Sequence, residues 1–160
     1  MLNKEDEENK QQNDIHILET HNDINRKYSG EIAKLKKGFA EIHLDIIEEM
    51  LVDKIGLIHN GFIFSSASLS AVTAVNKKYG FIIGSVSNFL TPVREHDTVI
   101  FQAKARQQIG RKIIVDVIGR VEEIKIFIGA FTVVIMDKHI LNLKLDDLDV
   151  SEYVKDEDAI

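Results

Sequence analysis

The 160-residue chain contains no cysteine. That absence excludes disulfides, thiolate metal sites and a cysteine nucleophile, and folding needs no oxidising compartment. Long apolar runs are missing too. The uncharged stretch of residues 61–76 falls short of the roughly 20 apolar residues of a membrane span and carries four serines and a threonine. It reads as a core helix, and no membrane insertion is expected. The first twelve residues are acidic or polar and lack the apolar segment of a secretory signal, so the cytoplasm is the expected location. The six histidines are scattered without the close paired spacing of a metal site, and no metal is expected.

A dense basic face is also lacking. Residues 1–35 hold five Lys/Arg against eight Asp/Glu, residues 36–145 hold fourteen against eleven, and residues 146–160 hold one against seven. The middle is mildly cationic between two acidic ends. That balance argues against direct nucleic-acid binding, and the first 35 residues are too few and too acidic for a helix-turn-helix domain. It suits a small polyanionic ligand, although acidic ends serve solubility equally well. A length of 160 residues with 44% hydrophobic content allows one domain with a sizeable core plus extensions. Three parts are expected: an acidic N-terminal extension (1–37), a folded domain (38–145) and an acidic C-terminal tail (146–160).

Residues 1–12 cannot bury enough apolar surface to offset their ordering entropy and are expected to be disordered. Ile15, Ile17, Leu18, Ile24, Ile32 and Leu35 form a sparse helical pattern, read as a short docking helix. Ala40, Ile42, Leu44 and Ile46 then alternate with Glu41, His43 and Asp45, the period of a half-buried strand. Residues 56–76 read as one long buried helix with no polar face, since small and apolar residues surround its whole circumference. Asn60 is the expected N-cap and Gly80 the expected C-terminal stop, with Lys77 and Lys78 at the negative end of the helix dipole. Four further strands follow. They cover residues 81–90, ended by Thr91-Pro92, then roughly 98–106, 113–121 and 125–136. One strand, a buried helix and a hairpin-linked meander predict an α+β antiparallel sheet curled around that helix.

Three motifs occur along this order: Gly56-Leu57-Ile58-His59-Asn60-Gly61-Phe62-Ile63-Phe64, Asn88-Phe89-Leu90-Thr91-Pro92-Val93, and Gly110-Arg111-Lys112. With them the chain resembles the hotdog fold, an antiparallel sheet wrapped around one long central helix, and in particular its acyl-CoA thioesterase-like branch, over about residues 38–137. The resemblance implies a homodimer or a dimer of dimers. It also implies an acyl thioester of coenzyme A or acyl-carrier protein held between subunits, with its carbonyl at the first turn of the helix and its phosphates on surface cations. No other cofactor is implied. Independently of the family, free amides at Asn60, Gly61 and Phe62 present partial positive charge to an oxygen and polarise a carbonyl as an oxyanion hole does.

Two positions depart from the family pattern. Asn60 replaces the first of two glycines. Nine residues after His59, where the family's catalytic carboxylate usually stands, the chain has Ser68, and no Asp or Glu occurs between Asp53 and Glu95. A serine at its ordinary pKa is neither nucleophile nor base without a paired base. The expected function is therefore acyl-thioester binding without hydrolysis, as in hotdog effector domains that only sense acyl-CoA. The alternative is a thioesterase that uses another group, among Glu48, Glu49 and Asp53.

Within the motif region, Ser68 and His59 are the catalytic candidates. The expected ligand-binding set is His59, Asn60, Gly61, Phe62, Ser68, Asn88, Arg106, Arg111 and Lys112. Each has a plainer reading. For His59 it is a structural hydrogen bond, for Ser68 a hydroxyl satisfied by its own helix, for Asn88 an ordinary ladder position, and for the three cations exposed hairpin charges.

Overall fold

The computed structural model describes residues 17–144. The expected disorder of residues 1–12 and the acidic tail 146–160 lie outside these. The described residues form α1 (Arg26–Ser29), β1 (Glu31–Lys36), β2 (Phe39–Asp45), a 3-10 turn (Glu48–Met50), α2 (Asn60–Val75), β3 (Gly80–Phe89), β4 (Thr98–Ala105), β5 (Lys112–Val121), β6 (Ile124–Ile135) and a second 3-10 turn (Ile140–Asn142). All strand pairs are antiparallel, in the order β1-β2-β4-β5-β6-β3.

The alternation seen along the strands decides which face is the core. Ala40, Ile42, Leu44, Val99, Phe101, Ala103, Val115, Phe131 and Val133 are fully buried, and α2 lies across that face, packing chiefly on β4, β2 and β5. Strand side chains alternate between faces, so one face packs on the helix and the other stays outward. Glu41 sits on the outward face yet is only 5% exposed. Gln102, His43 and Lys34 all donate hydrogen bonds to its carboxylate, at 2.9, 2.9 and 3.2 Å.

The sheet begins earlier than expected. Residues 31–36, read as part of a helical extension, form the edge strand β1, so the folded unit includes part of the stretch assigned to the extension. The physical reason is a bulge between Ile32 and Lys34: Ile32 pairs with Ile42 and Leu35 with Ala40, and both partners are core residues. One extra residue re-phases the strand, so two apolar residues three apart face inward and imitate helical spacing. Only Arg26–Ser29 is helical. Gly30 ends that turn at φ 91, ψ 162, a conformation that suits glycine.

Helix α2 is also shorter than expected. Its N-cap is His59, without a side-chain capping bond, and Asn60 is its first residue. It ends at Val75, capped by Asn76 in the left-handed region at φ 48, and Gly80 opens β3 instead of stopping the helix. Lys77 and Lys78 lie beyond the helix end. Asn76 is held in place by the N-terminal segment: its amide group donates to the Ile17 carbonyl at 2.9 Å, and its side-chain oxygen accepts from the Glu19 amide at 2.8 Å. Residues 17–29 run back along the helix from there, and the Ser66 hydroxyl donates to the Ser29 carbonyl at 2.7 Å. Sheet and strap together bury ten of the sixteen helix residues. Asn60, Gly61 and Phe64 remain exposed, and Phe62, Ser65 and Ser68 half-buried.

The two sheet edges differ chemically. β1 carries Glu31, Lys34 and Lys36, whereas β3 has no charged residue and exposes Phe81, Ile83, Val86 and Phe89. Charges blunt an edge against pairing; a long uncharged edge invites it. Among the described residues no helix is long and apolar enough to cross a membrane.

Candidate functional site

The start of α2 is set by a tied loop. One oxygen of Asp53 accepts from the amides of Ile55, Gly56 and Leu57 at 2.9, 3.1 and 3.4 Å, which closes the turn around Gly56 at φ 102. Short bridges then pin Leu51 to Ile58 and Leu57 to Arg94, and the His59 amide donates to the Met50 carbonyl at 3.0 Å. Asp53 is thus a turn-former, and Glu49 is engaged by Lys27. Two of the three loop carboxylates considered as alternative catalytic groups already have structural partners.

The His59 ring folds back over the first turn. A Cβ added at Gly61 would stand 2.7 Å from His59 Nε2 and 2.8 Å from Cδ2, so the ring occupies the space that glycine leaves open. The ring also meets Phe62 edge-on at 6.3 Å, and Phe62 packs on Tyr28 of the strap at 6.1 Å. Of the three amides expected to be free, that of Phe62 donates to the His59 carbonyl at 3.1 Å. Those of Asn60 and Gly61 have no partner among the described residues. Two unpaired donors at the positive end of a sixteen-residue helix suit an electron-rich oxygen.

Beside this turn lies a hollow of about 530 Å³, lined by Val52, Leu57, Ile58, His59 and Asn60 and by Phe89, Leu90, Thr91 and Pro92 from the end of β3. Its wall is apolar apart from His59, Asn60 and Thr91, and it contains no carboxylate. Val52, Leu57, Phe89 and Leu90 escaped the reading of single residues. The signal for Phe89 and Leu90 was the Phe89-Leu90-Thr91-Pro92 string, whose proline ends the strand at the helix start.

The remaining expected site residues are dispersed. Ser68 lies two turns further along α2, on the same open side as Gly61 and Phe64, and its hydroxyl donates to the Ser65 carbonyl at 2.9 Å. Asn88 does not face the helix. It pairs with Ile128 on the outward face, in a separate hollow of about 400 Å³ with Val86 and Ala130. Because side chains alternate along β3, Phe89 rather than Asn88 points inward, onto Phe127 at 5.4 Å. Arg106 holds Asp116 through two hydrogen bonds of 2.7 and 2.6 Å, and the guanidinium keeps that carboxyl below its usual range. Arg111 pairs with Asp137 at 2.6 Å. Arg106, Arg111 and Lys112 stand at the end of the sheet where α2 finishes, about 24 Å of helix from His59 at 1.5 Å per residue. Within one protomer they do not join His59. Among the described residues no group of three His, Asp or Glu could hold a metal ion.

No family model matches the chain. Among curated proteins it is 38% identical over 121 residues to the methylthioribose-1-phosphate isomerase of Aquifex aeolicus, covering 75% of this chain. It is 26% identical over 123 residues to transcription factor FapR of Thermoanaerobacter, covering 76% of this chain. It spans only 26% of the isomerase and 62% of FapR. Among solved structures, Cj0977, a sigma28-regulated virulence protein from Campylobacter jejuni, shares 36% identity at TM-score 0.75 over 77% of this chain and 95% of that one. PH1136 from Pyrococcus horikoshii shares 34% at TM-score 0.78 over 79% and 98%. Hotdog-fold thioesterase-like neighbours share the architecture at lower identity. One is a hypothetical thioesterase from Streptococcus pneumoniae, solved with coenzyme A, at 18% identity and TM-score 0.62 over 68% of this chain and 87% of that one. The alignments with Cj0977 and PH1136 place the chain in their family, and the six-stranded antiparallel sheet with the long helix α2 is the hotdog fold shared with the thioesterase-like neighbours.

Proposed function

We propose that the chain binds acyl thioesters of coenzyme A or acyl-carrier protein at a hotdog dimer interface and does not hydrolyse them. The observation that carries this reading is the hollow at the start of α2. His59 and Asn60 line it, the Asn60 amide has no partner among the described residues, the rest of the wall is largely apolar, and no carboxylate lines it. That set can receive a carbonyl and an acyl chain, but it lacks a group to activate water. Ser68 supports the same conclusion, because its hydroxyl is already committed to its own helix.

The dimer reading rests on the uncharged edge of β3. An antiparallel pair of β3 strands would set the Gly80 end of one copy beside the Phe89 end of the other. The Gly80 end pairs with Ile135, whose amide donates to the Arg111 carbonyl. One copy's Arg111 region would then approach the other's hollow, where the phosphates of a coenzyme A ligand need cations. The likeness to FapR suits a sensing role for such a domain. The thioesterase alternative has less support, since Asp53 and Glu49 are structurally engaged.

Native mass spectrometry of protein purified from its own cells, with a turnover assay on short and long acyl-CoAs, tests the proposal. A dimer that retains an acyl ligand and shows no turnover is expected. Turnover abolished by Ser68→Ala, or by Asp53→Asn in a protein that still folds, would sink it. Ser68→Asp, which restores a carboxylate to the open side of α2, is expected to convert binding into measurable hydrolysis.

A further inference from the structure

A second hollow lies at the opposite end of α2. It measures about 610 Å³ and is lined by Lys36, Lys37 and Lys77, with Ala74, Val75 and Ile113 among its apolar walls. None of the three lysines is in a salt bridge with a described carboxylate. Arg106 at its rim is neutralised by Asp116. Three ammonium groups face one carboxylate, Glu19, and the negative end of the helix, worth about half a charge. The groove therefore keeps a net positive charge beside an apolar floor, which suits an acidic segment with interleaved aliphatic residues.

The chain itself contains such a segment. Residues 145–154 set Leu145, Leu148, Val150, Tyr153 and Val154 among Asp146, Asp147, Asp149 and Glu152, and residues 146–160 hold seven acids against one lysine. The path of the chain delivers it to the right place. After β6 the Met136 amide donates to the Tyr79 carbonyl at 3.1 Å and Asp137 pairs with Arg111. The chain thus leaves the sheet two residues in sequence from the groove residues Lys77 and Ile113. Residues 138–144, with the 3-10 turn Ile140–Asn142, follow, and the sixteen residues 145–160 beyond them can span up to about 53 Å when extended. Residues 1–16 are a poorer match, with five acids, two lysines and apolar residues only at Met1, Leu2 and Ile15.

We propose that the acidic C-terminal segment, residues 145–160, docks in cis into the groove formed by Lys36, Lys37 and Lys77, with its aliphatic side chains against Ala74, Val75 and Ile113. This docking is independent of any ligand at His59. It is electrostatic at its rim, so it weakens as salt shortens the screening length from about 10 Å at 0.1 M to about 3 Å at 1 M.

Because the chain has no cysteine, a single nitroxide can be placed on the full-length protein through Ser151→Cys. Paramagnetic broadening of the Gly38, Asn76 and Lys77 amides is the expected result, lost in about 1 M salt and in a Lys36→Gln, Lys37→Gln, Lys77→Gln variant. Neutralising the tail with Asp146→Asn, Asp147→Asn, Asp149→Asn and Glu152→Gln leaves the folded domain untouched and is expected to abolish the broadening equally. The proposal is overturned if those amides keep full intensity, or if neither set of substitutions changes them. It is also overturned if a label at Gln11→Cys broadens them while that at 151 does not. Broadening seen only between labelled and isotope-enriched copies in a mixture would assign the groove to a second molecule and overturn docking in cis.

Discussion

Gly61→Ala separates the stability of the helix start from its capacity to bind. The added Cβ would lie 2.7 and 2.8 Å from two atoms of the His59 ring, and the ring is the part that yields, because His59 is exposed at the end of a rotatable side chain. Alanine removes the entropic cost of glycine, about 0.8–1 kcal/mol in a helix interior and about half that in a first turn. Displacing His59 forfeits its edge contact with Phe62, about 0.5 kcal/mol at the low end for aromatic pairs. The two nearly cancel, so the melting temperature is expected to stay within about 2 °C. Binding does not cancel. A lost histidine hydrogen bond of about 1 kcal/mol corresponds to a roughly five-fold weaker Kd for acyl-CoA, measured by calorimetry. His59→Ala should cost a similar factor. The double variant should bind no worse than either single one, since both remove the same group, and should melt slightly higher than His59→Ala. Losses that multiply in the double variant would show that the methyl obstructs the ligand directly and would refute the histidine argument. So would a fall in melting temperature of more than about 5 °C.

Other substitutions test the strap and the outward face. Gly30→Ala combines a backbone conformation worth about 1–3 kcal/mol of strain for other residues with a Cβ 2.7 Å from Ile42 Cγ2 and 2.8 Å from the His43 carbonyl oxygen. A drop of at least about 6 °C in melting temperature is expected, and unchanged melting would show that the strap is not tightly held. For Glu41, burial pushes the carboxyl up, but hydrogen bonds from Gln102, His43 and Lys34 together outweigh burial and hold it below its ordinary value of 4.5. A folded-state value below the unfolded one means that the stability Glu41 contributes is fully present above about pH 4.5 and is lost as pH falls through the folded value. Denaturant melts from pH 6 to 3 should therefore show a steeper acid loss in the native protein than in Glu41→Gln. At pH 7 the variant should be less stable by about 1–3 kcal/mol, because buried donors lose a charged acceptor. Parallel acid limbs would refute that account.

What could be read from the sequence was whatever depends on local pattern. Alternation of residues 40–46 placed β2, and the uncharged stretch marked the helix to within a few residues at each end. Proline after Phe89 and Leu90 marked the end of β3. His59 and Asn60 fell at the helix start because glycine and asparagine punctuate the chain there. The motif resemblance carried the fold name, which the thioesterase-like structural neighbours support.

The errors share a cause, since each depended on what a residue meets across space. Ile32 and Leu35 look helical until a bulge pairs them with Ile42 and Ala40. Gly80 looks like a helix stop until Asn76, held by Ile17 and Glu19, ends the helix first. Asn88 looks like a pocket residue until the β3 register turns it outward and Phe89 inward. Periodicity along a chain reports which residues prefer burial. It does not report register, the partner of a capping side chain, or whether Arg106 has already found Asp116. Those were decided by the tertiary structure, because hydrogen bonds and close packing act over a few ångströms between residues far apart in sequence.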